Sequence, residues 1–222
     1  MKKQLMTISA VLYVVINFIC CDPQTHDNNS VYGETKFSDT VSKDIPLDKT
    51  GRPGSYYTNK PDVEKKLGLA TLENGFDSLQ IRLWYGYAFN DSSQLVILKR
   101  NNGKWVGEFY TLIYQLNESG DTIKAIKKRM TNREPKSGWN DFASKILELK
   151  IYTLPDKSKI IDYPDFADGD GVIIEIATLE KYRIYYYHNP AIAQKAIWQA
   201  SNIEKILELI EDEFSFSRLR KF

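Results

Sequence analysis

Carboxylates crowd one stretch of the chain and are the first candidates for chemistry. Asp162, Asp165, Asp168 and Asp170 fall close together on a backbone that Gly169 and Gly171 can bend, and Glu175 follows. Oxygen donors grouped in this way suit a hard cation such as calcium. Asp165, Asp168, Asp170 and Glu175 are therefore candidate metal ligands. The spacing departs from the helix-loop-helix calcium pattern: with Asp168 and Asp170 in its third and fifth places, Phe166 would stand first and Ala177 twelfth. The same carboxylates could work as acid and base in a hydrolase, or the stretch could be a solvated loop entering a strand.

Other chemistry is thinly supplied. His188 follows Tyr185, Tyr186 and Tyr187, and the other histidine, His26, lies far toward the N-terminus. No Gly-x-Ser-x-Gly elbow accompanies His188, no cysteine follows Cys21, and no glycine-rich loop ends in Lys-Ser/Thr. Zinc of the usual His/Cys kind lacks ligands, and a phosphate cradle lacks its motif. No cofactor is expected. Aromatics are abundant, with 14 Tyr, 10 Phe and 4 Trp. Trp84 alternates with Tyr85, so one of the two points away from a one-sided core. Trp84, Tyr186 and His188 are the candidate ligand-binding residues, able to stack on a sugar or anchor a protein; cross-strand pairing within the sheet would also account for them. Lys124, Lys127, Lys128, Arg129, Arg133 and Lys136 form a basic stretch. It suits an anionic partner or a lysine-guarded sheet edge.

The elements that must hold these residues read as α+β. Asp62 can cap a helix over Val63–Leu67 that Gly68 ends. Period-two alternation in Leu79–Tyr85 marks a half-buried strand. Strands over Gln94–Arg100, Trp105–Leu116 and Thr122–Met130 complete a four-strand meander, with Asn102-Gly103 as a hairpin turn. Ser137 can cap a helix through Trp139–Leu149. Strands Val172–Thr178 and Tyr182–Tyr187 form a hairpin. Pro190 suits a helix start, and Ser201 with Glu204 reads as a capping box for the last helix. The basic tail Ser217–Phe222 is expected to fray. The sum is an antiparallel sheet of about six strands with helices packed on one face, the last of them C-terminal.

The N-terminus reads differently. Lys2 and Lys3 precede an uncharged run from Leu5 to Ile19, which suits a signal peptide and falls short of the roughly 20 residues that span a bilayer. At Cys20-Cys21 the composition turns polar: Asp22-Pro23-Gln24-Thr25-His26-Asp27. This segment resembles the bacterial lipoprotein signal, in which a small residue precedes a cysteine that is acylated and becomes the mature N-terminus. Here that position is Cys21; Phe18 and Ile19 are bulkier than the family's usual residues. The resemblance implies a bilayer partner through acylated Cys21 and a place in the cell envelope, periplasmic or surface-exposed. It covers about 21 residues.

Residues 1–20 are thus expected as signal peptide, 21–60 as lipidated N-terminus and flexible tether, and 61–222 as one globular domain. Gly, Pro, Asn and Ser are frequent across the tether, which as a coil would span roughly 35 Å; Tyr56-Tyr57 could instead give it a foothold on the domain. The whole chain of 222 residues carries a net charge of +1; without residues 1–20 it holds 28 cations against 29 anions, a net −1. That balance offers nothing to nucleic acid. A non-enzymatic module that binds an envelope protein, a toxin or a glycan is the leading expectation, with a hydrolase built on the 162–175 carboxylates as the alternative.

Overall fold

The computed structural model describes residues 41–86, 92–120 and 122–219. The lipoprotein signal and Cys21 lie outside the described residues. Among the described residues seven strands form one sheet in the order β1-β7-β6-β2-β3-β4-β5. The expected meander is there: β2 (Leu79–Tyr85), β3 (Ser92–Asn101), β4 (Lys104–Leu116) and β5 (Ile123–Arg133) pair antiparallel in sequence order. Asn102 and Gly103 both take positive φ, 48° and 78°, as a two-residue hairpin turn requires. The hairpin of β6 (Gly171–Thr178) and β7 (Lys181–His188) docks antiparallel on β2, with Arg82 opposite Glu175.

The seventh strand, β1 (Ser42–Asp44), runs parallel to β7. It comes from the segment expected as tether. Residues 42–60 belong to the folded body: Ser42 N–H donates to the Glu180 carbonyl at 2.9 Å, and Asp44 pairs with Arg183 at 3.1 Å and Lys159 at 3.2 Å. A short helix, α1 (Ser55–Thr58), then leads into α2 (Lys60–Leu67). Main-chain bonds and ion pairs attach this segment, and Val41, Ile45, Tyr56 and Tyr57 pack against the core, the last two as the foothold the sequence offered; these apolar contacts are too scattered to show as a period.

Helices cover both faces of the sheet, which corrects the one-face expectation. On one face Ile81, Leu83, Val96, Ile174 and Tyr185 pack with α3 (Trp139–Glu148) and α5 (Trp198–Phe214), which contribute Phe142, Ile146, Ile203, Ile206 and Phe214. The short α4 (Pro190–Ala193) precedes α5. On the other face Trp84, Leu95, Ile97, Ile173 and Ile184 pack against Val63 and Leu67 of α2. The alternation in β2 misleads because Gln80 and Arg82, which look solvent-facing, lie buried beneath α2.

Four local expectations also change. α2 begins at Lys60 behind Asn59, so Asp62 lies within its first turn and does not cap it. Gly138 stands at the start of α3, and the Ser137 N–H and hydroxyl go to the Glu213 carboxylate at 2.8 and 2.9 Å. α5 begins at Trp198, before Ser201, and Glu204 accepts from Arg218 at 2.9 Å instead of closing a capping box. The tail does not fray at once. Gln94 donates to the Ser217 carbonyl at 2.9 Å and accepts from the Leu219 N–H at 2.8 Å, while Arg218 pairs with Glu211 at 2.9 Å. Among the described residues no helix is long and apolar enough to cross a membrane.

Candidate functional site

The acidic loop does not gather its carboxylates. Asp162, Asp165 and Asp168 are exposed. Asp170 accepts from the Tyr85 hydroxyl at 3.0 Å, on the face that α3 and α5 cover. Asn189 shapes the loop: its side chain accepts from the Asp170 N–H at 2.8 Å and donates to the Asp168 carbonyl at 2.6 Å. Gly169 is obligatory at this bend, with φ of 137° and room for a Cβ taken by Asn189. Glu175 lies on the opposite face, beneath α2. Among the described residues, no three His, Cys, Asp or Glu side chains come together as a metal site.

Glu175 belongs to a buried charge network that sequence reasoning missed. Lys60 of α2 donates to Glu64 and to Glu175, each at 3.0 Å. Arg82 pairs with Glu64 and donates to the Ala70 carbonyl at 2.7 Å. Glu175 also accepts from the Trp84 indole at 2.7 Å and the Tyr182 hydroxyl at 2.9 Å. Relative exposure is 2% for Lys60, 1% for Glu64 and Arg82, and 0% for Glu175. Two cations face two anions, so the group is neutral as a whole. Burial and the neighbouring Glu175 charge push the Glu64 carboxyl up, against the pull of Lys60 and Arg82. Burial would lower the Lys60 ammonium, but Glu175 and Glu64 outweigh it and leave it raised. Burial and Glu175 push the Tyr182 phenol up. The network fastens α2 to the sheet and presents no face to a solute.

Trp84, a candidate ligand platform, is committed to this network and is 1% exposed. The other two candidates do come together. Tyr186 and His188 stack at 6.1 Å between centroids, and Tyr56 stacks on Tyr186 at 5.0 Å. Phe166 meets His188 at 5.7 Å in an edge-on arrangement. Asp156 organises the column from below: it accepts from the Tyr56 hydroxyl at 3.1 Å, the Tyr186 N–H at 2.8 Å and the Ser158 N–H at 2.8 Å. Gly171 permits it, since a Cβ there would lie 2.7 Å from the Tyr186 ring.

This column is assembled for packing. Tyr186 has Tyr56 and His188 on its ring faces, with the Lys157 ammonium 5.8 Å from its centroid. Burial and Asp156 push its phenol up to about 12. Burial, then Lys157, lowers the His188 imidazole, with Asp165, Asp168 and Asp170 opposing. The imidazole has ring contacts only and no hydrogen-bond partner among the described residues that would poise it as a general base.

All of the basic stretch but Lys136 lies on β5, one of the two edge strands of the described sheet. Lys128 turns in and donates to the Leu67 carbonyl at the end of α2, at 2.5 Å. Arg133 donates to the Phe214 carbonyl at the end of α5, at 2.8 Å. Lys124, Lys127 and Arg129 are exposed and enter no ion pair among the described residues. No family model matches the chain, and no curated protein matches it either.

Proposed function

We propose that the chain is an exported lipoprotein, held to a bilayer by acyl chains on Cys21, whose domain is a non-enzymatic module that binds a protein partner in the cell envelope. The observation that carries the non-enzymatic part is the dispersal of the carboxylates: Asp162, Asp165 and Asp168 splay outward while Glu175 is neutralised beneath α2. A hydrolase needs its acid and base on one substrate; here Asp170 and Glu175 lie on opposite faces of the sheet and the other three carboxylates face solvent. The filled ring faces of Tyr186 and the burial of Trp84 argue against a sugar-stacking platform, so a protein partner is preferred to a glycan. The anchor rests on Lys2, Lys3, the uncharged run and Cys21. Acyl chains contribute about 0.8 kcal/mol per buried methylene, so several together hold firmly.

The test has two arms. Cys21→Ser should move the protein from the membrane pellet to the soluble fraction and change its processed mass; retention in the pellet with unchanged mass refutes the anchor. Cross-linking in intact cells should join the wild-type domain to a discrete envelope protein. A domain that cross-links to nothing but hydrolyses an envelope polymer, with loss of turnover on replacing Asp165, Asp168 and Asp170 by Asn, refutes the module.

A further inference from the structure

We infer that the outer edge of β5 receives an extended acidic segment of a partner protein as an eighth strand; the inference rests on the protein-binding reading above. Its first support is the hydrogen-bond alternation of an antiparallel sheet. Asn101 and Lys104 close the two-residue turn and form a bonded pair. Alternation from Lys104 then directs the backbone of Gly107, Phe109, Thr111, Ile113 and Gln115 toward β5. Their partners Arg133, Thr131, Arg129, Lys127 and Ala125 are spent on β4. The N–H and C=O groups of Ile126, Lys128, Met130 and Asn132 therefore face outward, where no described strand meets them.

The two edges of the sheet are treated differently. At the β7 edge, β1 covers Lys181–Arg183, and Asp156 takes a further outward N–H, that of Tyr186. Among the described residues no strand covers the β5 edge. It runs 11 residues without proline, and its one irregularity lies opposite Gln115 and Leu116, near its start. Natural edges are usually blunted by shortness, proline or bulges. Past that irregularity the device present on the described edge is lysine, and lysine repels a like-charged edge while attracting an acidic one.

Charge selects the occupant. β5 holds Lys124, Lys127, Lys128, Arg129 and Arg133 and no carboxylate. A second copy pairing on the same edge would set cation against cation, which destabilises a strand pair. An acidic strand places its carboxylates against Lys127 and Arg129, and its main chain on the outward amides. Apolar surface is available too: Met130 is 47% exposed and Ile113 50%. An anionic lipid surface would satisfy the cations and leave the amides unmatched.

The experiment uses the purified acylated protein in detergent and a labelled ten-residue peptide of alternating Glu and Val. The peptide should bind, and amide hydrogens of Lys128 and Met130 should exchange more slowly in its presence. Met130→Pro deletes one outward N–H and keeps every charge and every bond to β4; it should weaken binding at least tenfold. The double variant Lys127→Glu, Arg129→Glu, at exposed positions that leave the fold intact, should lose the acidic peptide and gain an alternating Lys–Val peptide. Four results overturn the assignment: no binding of the peptide, equal binding by Met130→Pro, protection elsewhere than β5, or binding of the unacylated Cys21→Ser protein to phosphatidylglycerol vesicles without binding to the peptide. If any of these occurs while the cellular cross-link persists, the edge assignment falls and the protein-binding reading stands.

Discussion

Replacing Glu175 by glutamine subtracts one negative charge from a site that water does not reach, and the cost can be worked from the contacts. Glu175 accepts three donors: Lys60, Tyr182 and the Trp84 indole. A glutamine fills the same volume but turns an NH2 group toward at least one of them. Donor then faces donor, at about 1–3 kcal/mol. Lys60 and Arg82 are left sharing Glu64, so the network carries a net positive charge; breaking a buried pair from one side costs about 3–5 kcal/mol. The sum, about 4–8 kcal/mol, is a large part of the 5–15 kcal/mol typical of a domain. Adding Lys60→Met removes the stranded ammonium and leaves Arg82 with Glu64 as a neutral pair. The double variant should recover about 2–3 kcal/mol relative to the sum of the single changes. Urea unfolding followed by tryptophan fluorescence and circular dichroism measures all four corners of the cycle, with m-values held equal. A loss below about 1 kcal/mol for Glu175→Gln, or strict additivity in the cycle, would refute the claim that these charges act as one unit.

Further expectations concern the column, the tail and the acid limb of stability. Gly171→Ala puts a methyl into the Tyr186 ring and should cost about 1–3 kcal/mol by overpacking, with loss of near-ultraviolet ellipticity from the Tyr56–Tyr186 stack; an unchanged spectrum contradicts it. Lys157→Met removes a cation that lowers His188, so the imidazole should titrate higher, closer to its ordinary value, in an NMR pH series; no movement means that burial alone sets it. The Glu213 carboxyl is held down to about 2 by Lys145 and the Ser137 N–H. Its folded pKa lies below the unfolded one, so its stabilisation is full above about pH 4.5 and is lost as pH falls toward 2. Glu213→Gln should flatten the stability curve across that window, and a curve parallel to wild type would count against it. Arg218→Met leaves Glu204 buried without its cation and should cost about 3 kcal/mol or more, read as a fall in unfolding midpoint with early exchange of the Leu219 amide.

The strands were legible because their signals are local. Alternation in Leu79–Tyr85, the Asn102-Gly103 turn and the apolar run from Val172 each place an element within a residue or two. What could not be read depended on partners far along the chain. Arg82 looks like an outward residue of a half-buried strand until Glu64 and α2 are laid over it. Asp44 gives residues 41–60 the polar look of a linker, yet its partner is Arg183. Glu204 fits a capping box by spacing, and its carboxylate is claimed by Arg218 in the tail. At the candidate site, Tyr186 and His188 share a face of β7 by parity, so their pairing was visible. Trp84 or Tyr85 would face solvent only if one face of the sheet were bare, and two-sided burial of β2 has no signature in its own seven residues.

The parallel seating of β1 on β7 bears on mechanics. Ser42, the first residue of β1, lies beside Lys181 at the turn end of the β6–β7 hairpin. Tension applied there along the strand axis loads the rungs from Ser42 to Asp44 together, with the Asp44 contacts to Arg183 and Lys159 behind them. Tension across the axis peels the same rungs singly. This short strand is therefore a clasp whose strength depends on the direction of pull, and a domain tugged from its leading end would hold against a longitudinal load and yield first to a sideways one.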